Sequence, residues 1–83
     1  MSHTRKLPIA EVAIEYFGSV RKTAEAIEIE PCRVSKWRWS KERKGSAGDI
    51  PHRLKIKILD VVQSQGGDIT AEELLRGFRE VPA

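Results

Sequence analysis

Apolar residues recur at helical spacing over most of this chain. Ile9, Val12, Ala13, Tyr16 and Phe17 fall at i, i+3, i+4, i+7 and i+8, one stripe of an amphipathic helix. Leu7-Pro8 opens that helix, since proline suits a first turn. Glu11 and Glu15 sit off the stripe, and Gly18 is placed to end it in the left-handed conformation. Ser19 then caps a second helix, Val20 to about Ile27, with Val20, Ala24 and Ile27 inward. Glu28-Ile29-Glu30 has no periodicity and reads as a short turn. Pro31 starts a third helix, to about Trp39, burying Val34 and Trp37 and exposing Arg33, Ser35, Lys36 and Arg38.

Residues 40–50 hold two glycines and almost no apolar side chain, the composition of a basic loop. Pro51 starts a fourth helix over about 51–65, which Gly66-Gly67 stops. Leu54, Ile58, Val61 and Val62 form one face of it. Ile56 and Leu59 form a second stripe, more apolar surface than a short helix on a small monomer needs. Thr70 and Glu73 make a capping box for a last helix over about 70–79, in which Leu74, Leu75 and Phe78 are the buried candidates. No segment alternates as a strand. The pattern therefore predicts an all-α fold, a small four- to five-helix bundle forming one domain over residues 1–83.

At 83 residues, such a domain buries only roughly 60% of its unfolded surface. Cys32 is the one cysteine, so no internal disulfide staples the fold, and the spacings of a zinc site are absent. Stability must come from the helical core, a partner subunit, or both. His3 and His52 are far apart in sequence with no third ligand pattern, so neither a metal nor a cofactor is expected. The lack of a long apolar run and of a charged-then-apolar leader predicts neither a membrane span nor a secretory signal, and points to the cytoplasm. Net charge is only +3, but it is unevenly spread. Residues 31–57 hold nine Lys/Arg against two acids, a local +7, while the remainder carries −4. A basic segment on a balanced body suits a polyanion, although a solvated charged face reads the same way.

The two short helices over about 19–39, with Ala24 where they approach, form the layout of a helix-turn-helix, whose second helix enters the DNA major groove. Here the sequence also resembles known regulators. The run FGSVRKTAEAIEIEPCRVSKW (Phe17 to Trp37), then Ile50-Pro51 and GGDITAEEL (Gly66 to Leu74), resembles the Cro-type repressors of temperate phages and their bacterial relatives, the YdaS-type antitoxin-like regulators. The part KTAEAIEI…VSKW is equally similar to the phage CII activators. The resemblance implies a sequence-specific transcription factor that binds a palindromic or repeated operator as an oligomer. Three positions depart from the family pattern. Glu28 stands where glycine is usual, Glu30 where a Ser/Thr cap is usual, and the loop before Ile50-Pro51 is longer and more basic.

Carried over by that resemblance, Pro31, Cys32, Ser35 and Lys36 face the bases, with Arg33 beside them. Arg and Lys suit guanine O6 and N7, Ser suits any base edge, and Pro31 and Cys32 offer apolar contact. Arg33 and Lys36 also fit a merely solvated face, and Pro31 a plain helix initiator. Ser19, Arg21, Lys22, Arg38, Lys41, Arg43 and Lys44 are the candidates for the DNA backbone. Trp39 either covers the core or stands beside a phosphate. Ile56, Leu59, Leu75 and Phe78 are the candidate dimer surface, or else they finish the monomer core. The expected function is a Cro-like repressor reading double-stranded DNA as a homodimer through helix 31–39. The alternatives are a CII-like activator that also touches RNA polymerase, or an antitoxin-type protein whose C-terminal helices bind a protein partner. Asp49 and His52 come with no nucleophile, and no enzyme is expected.

Overall fold

The computed structural model describes residues 4–39, 42, 45 and 48–82. In chain order these form β1 (Thr4–Pro8), α1 (Ile9–Phe17), α2 (Val20–Ala26), α3 (Pro31–Lys36), α4 (His52–Ser64), α5 (Ala71–Arg76) and β2 (Phe78–Pro82). The all-α expectation is thereby corrected. Five helices are joined by a two-stranded antiparallel sheet, which makes a small α+β domain. The register runs from Thr4 opposite Pro82 to Pro8 opposite Phe78. Each strand finds its partner seventy or more positions away, and neither TRKLP nor FREVP alternates cleanly, so local pattern carries no trace of the pairing.

The sheet also shortens two expected helices. The first begins at Ile9 rather than Leu7, and Pro8 is its extended N-cap without a side-chain bond. Backbone carbonyls satisfy the first donors instead: Ile9 N–H donates to Gly77 O at 2.9 Å and Ala10 N–H to Gly48 O at 3.0 Å. The last helix ends at Arg76 rather than 79, because Gly77 turns left-handed (φ 85°) and sends Phe78 into β2. The third helix ends at Lys36 rather than Trp39.

Burial follows most of the stripes read from the sequence, but Ala10 and Ile14, off the first stripe, are buried as well, while Tyr16, Phe17, Val20, Leu54 and Val61 are only half-buried. α1 is the central helix, with Ile9, Ala10, Val12, Ala13 and Ile14 all buried. Ala24, Ile27, Val34, Trp37, Ile58, Val62 and Leu74 complete most of the core around it. Leu75, a candidate both for the core and for a dimer surface, is 74% exposed, which excludes it from the core, and Ser35, expected outside, is half-buried. The capping box at α5 forms as expected, with Thr70 and Glu73 exchanging side-chain-to-backbone bonds. Arg79 of β2 closes onto the same carboxylate through Nε and Nη2 and reaches Asp68, so β2 is tied to the start of α5.

Candidate nucleic-acid interface

The helix pair is built by its turn. Ser19 accepts the Lys22 N–H at 3.1 Å through its hydroxyl, and the buried Thr23 hydroxyl donates back to Ser19 O at 2.7 Å, fixing the start of α2. At the other end Ile29 N–H donates to Ala24 O at 3.0 Å and Glu28 N–H to Glu25 O at 3.3 Å. These are the two bonds of a Schellman motif, which needs a left-handed residue between helix and exit. Glu28 supplies it at φ 59°, the one positive φ outside glycine among the described residues. A non-glycine residue bears roughly 1–2 kcal/mol of strain there. Ala24, fully buried, has only a methyl side chain, which leaves room for α3 to approach.

α3 then presents a short, two-sided surface. Val34 and Trp37 point into the core, at 0% and 1% exposure. Pro31, Cys32, Arg33 and Lys36 are exposed, and Ser35 is half-buried. Glu30 makes no side-chain cap, and its carboxylate instead accepts from the Cys32 thiol at 3.5 Å. The helix is about 9 Å long at 1.5 Å per residue, with Pro31 at its first position. Its outward side chains therefore combine two cations with small, largely apolar neighbours, a set able to donate to base edges and touch a thymine methyl.

The candidates for the backbone differ in how they are held. Lys22, like Arg33 and Lys36, is exposed with no ion pair among the described residues. Arg21 pairs loosely with Glu25 at 3.6 Å, both strongly exposed. Arg38 pairs with Glu11 of α1 at 2.6 Å. Sequence reading missed Glu11 as a partner, because it lies off the apolar stripe and the two positions share no local pattern. Trp39 is 36% exposed. Lys41, Arg43 and Lys44 lie outside the described residues.

A second surface lies on α4 and α5. Ile56, 54% exposed, and Leu59 line an apolar groove with Ala71, Leu74 and Leu75, flanked by His52 and Lys55. Three of the four residues expected at a dimer surface thus share one groove. Phe78 stands apart in β2, half-buried, with Lys6 Nζ 4.7 Å above its ring.

Among the described residues no group of three or more His, Cys, Asp or Glu could hold a metal ion. No described helix is long and apolar enough to cross a membrane. Comparison with protein-family models, curated proteins and solved structures found no match.

Proposed function

We propose that this chain is a sequence-specific double-stranded DNA-binding transcriptional regulator of the bacterial cytoplasm, most similar in kind to the Cro-type repressors. α3 reads the major groove, and two copies address the two halves of a palindromic operator. One observation carries the reading. The α2–α3 turn adopts a complete Schellman geometry even though its left-handed residue is glutamate, and that geometry turns Arg33 and Lys36 outward while Val34 and Trp37 anchor the helix. In this reading Arg33, Ser35 and Lys36 contact base edges with Pro31 and Cys32. Ser19, Arg21, Lys22, Arg38 and Trp39 contact phosphates, as do Lys41, Arg43 and Lys44 of the basic loop. The groove around Ile56, Leu59 and Leu75 receives the second copy.

The same groove supports a second reading, an antitoxin-type protein whose C-terminal helices hold a different protein. Ile56 and Leu75 are large apolar side chains open to solvent, and any apolar helix would suit them. A CII-like activator shares every feature of the first reading and differs in its contact with RNA polymerase. The test is selection from a random duplex library near physiological salt, with the enriched sites sequenced. A two-fold symmetric site with half-sites about 34–36 Å apart establishes the operator-binding dimer. No enrichment, with binding that vanishes as salt rises, leaves the interaction-protein reading.

A further inference from the structure

α1 and α3 meet at a corner that base reading alone does not explain. Arg38, two residues past the end of α3, forms an ion pair with Glu11 in the first turn of α1, with Nε 2.6 Å from Oε1. The backbone holds the same corner independently. Gly48 donates its N–H to Trp37 O at 2.6 Å and accepts the Ala10 N–H on its own carbonyl at 3.0 Å. Trp37 precedes Arg38 and Ala10 precedes Glu11, so the two charged residues are brought together before their side chains meet.

Glu11 is the one charged partner of this guanidinium among the described residues, and the side chain is half exposed. Arg38 lines an open depression with Glu11, Ser35 and Trp39, at the end of the helix whose outward face carries Arg33 and Lys36. Arginine's donors lie in a rigid plane, so a carboxylate that holds the guanidinium at this corner limits the directions in which that plane can present its donors to a phosphate.

We propose that Glu11 is a positioning residue that aims Arg38 as a phosphate clamp, with the depression beside Ser35 receiving one backbone phosphate of the bound duplex. The inference rests on the DNA-binding reading above and adds to it the residue that organises this contact. The carboxylate does not touch DNA. It works by holding the guanidinium at this corner, and its charge by itself opposes the phosphate.

That last point separates the proposal from a plain surface ion pair. Binding to a fluorescein-labelled duplex of mixed sequence is measured by anisotropy over a series of salt concentrations, with thermal melts of every variant. Arg38→Ala is expected to weaken binding about tenfold on any sequence and to reduce the salt slope by about 0.9. Glu11→Ala should weaken binding in the same direction, and the double variant should bind no worse than Arg38→Ala alone. Glu11→Gln keeps an oxygen beside the guanidinium and removes the opposing charge, so it should bind at least as tightly as the parent protein. It should do so even where its melting temperature falls through loss of a favourable charge at the start of α1. Unchanged or tighter binding by Glu11→Ala overturns the positioning role and leaves DNA binding standing. If the parent protein shows no binding to the duplex at low salt, the DNA-binding reading and this inference fall together.

Discussion

The N–H of Ile29 donates to the carbonyl of Ala24 at 3.0 Å, across a chain reversal made by the left-handed Glu28. Three other reversals, at Gly18, Gly66 and Gly77, use glycine for the same conformation. Glu28→Gly is expected to relieve about 1–2 kcal/mol of backbone strain. Roughly 0.5–1 kcal/mol of that is returned as extra freedom in the unfolded chain. The net gain of about 0.5–1 kcal/mol should raise the melting temperature by a few degrees. A melting temperature that stays level or falls would show that the glutamate side chain compensates for its own strain.

Gly48 is the opposite case. Its φ is 89°, and a Cβ placed there would lie 2.7 Å from Cβ of Pro8. Gly48→Ala therefore combines left-handed strain with a collision against the start of α1, and it loosens the bonds to both Trp37 and Ala10. A loss of about 2–3 kcal/mol is expected, read by chemical denaturation. A loss below about half a kcal/mol would mean that the 48–50 segment shifts freely and does not hold α3 against α1.

Acid sensitivity should trace to Glu73. The Arg79 hydrogen bonds, helped by the Thr70 N–H and working against partial burial, hold its carboxyl below the ordinary value of 4.5. A carboxyl lowered by folding binds its proton first in the unfolded chain. The pair's contribution is thus complete above the ordinary value and is lost as pH falls through it toward the lowered one. Glu73→Gln is expected to lower stability at neutral pH by about 1.5–3 kcal/mol. It should also flatten the decline in stability between about pH 5 and pH 3. Parallel pH profiles for the two proteins would place the acid sensitivity elsewhere.

On the DNA-binding reading, Lys36→Ala is expected to lower the preference for the best site over a mismatched one by about 1–3 kcal/mol. Lys22→Ala should weaken every sequence alike. Competition binding with the selected site and its single-base variants distinguishes the two. An unchanged preference in Lys36→Ala would remove α3 from the major groove.

The proposed dimer surface is open to a direct assay. Ile56→Lys and Leu75→Lys, alone and together, alter side chains that are already exposed, so each variant should fold. A homodimer should become a folded monomer by light scattering, with weaker operator binding. If the parent protein is already monomeric at every concentration, the groove belongs to a different partner.

The parts of this fold that could be read from the chain are the ones whose causes are local. Ser19, Gly18, the Thr70–Glu73 box and the stripe over residues 9–17 each depend on neighbours within a few positions, and each adopts the expected geometry. The outward and inward faces of α3 were legible for the same reason, since Val34 and Trp37 repeat at helical spacing. The sheet was not. β1 offers only Leu7 to a core, and the force that makes it a strand is a backbone ladder with residues beyond position 77. The Glu11–Arg38 pair escaped notice likewise, as two unremarkable charges until tertiary packing sets them side by side. Leu75 fits two expectations, a buried place in α5 and an exposed apolar surface, and only packing decides between them: it lies open in the groove with Ile56 and Leu59.

The β1–β2 pairing has a consequence for the order of events in folding. Joining Thr4 to Pro82 closes a loop containing every helix, at an entropic cost of about 4 kcal/mol by the logarithmic rule. Contacts within α2–α3 close after only a few residues, so the hairpin that bears α3 can organise while the ribbon is still apart. Local openings start in the least stable parts of a fold. Fraying of the ribbon would withdraw the Gly77 carbonyl from Ile9 while leaving the Schellman turn at Glu28 intact. The proposed reading head and the clasp beneath α1 are thus separable cooperative units, with α1 as the element on which both depend.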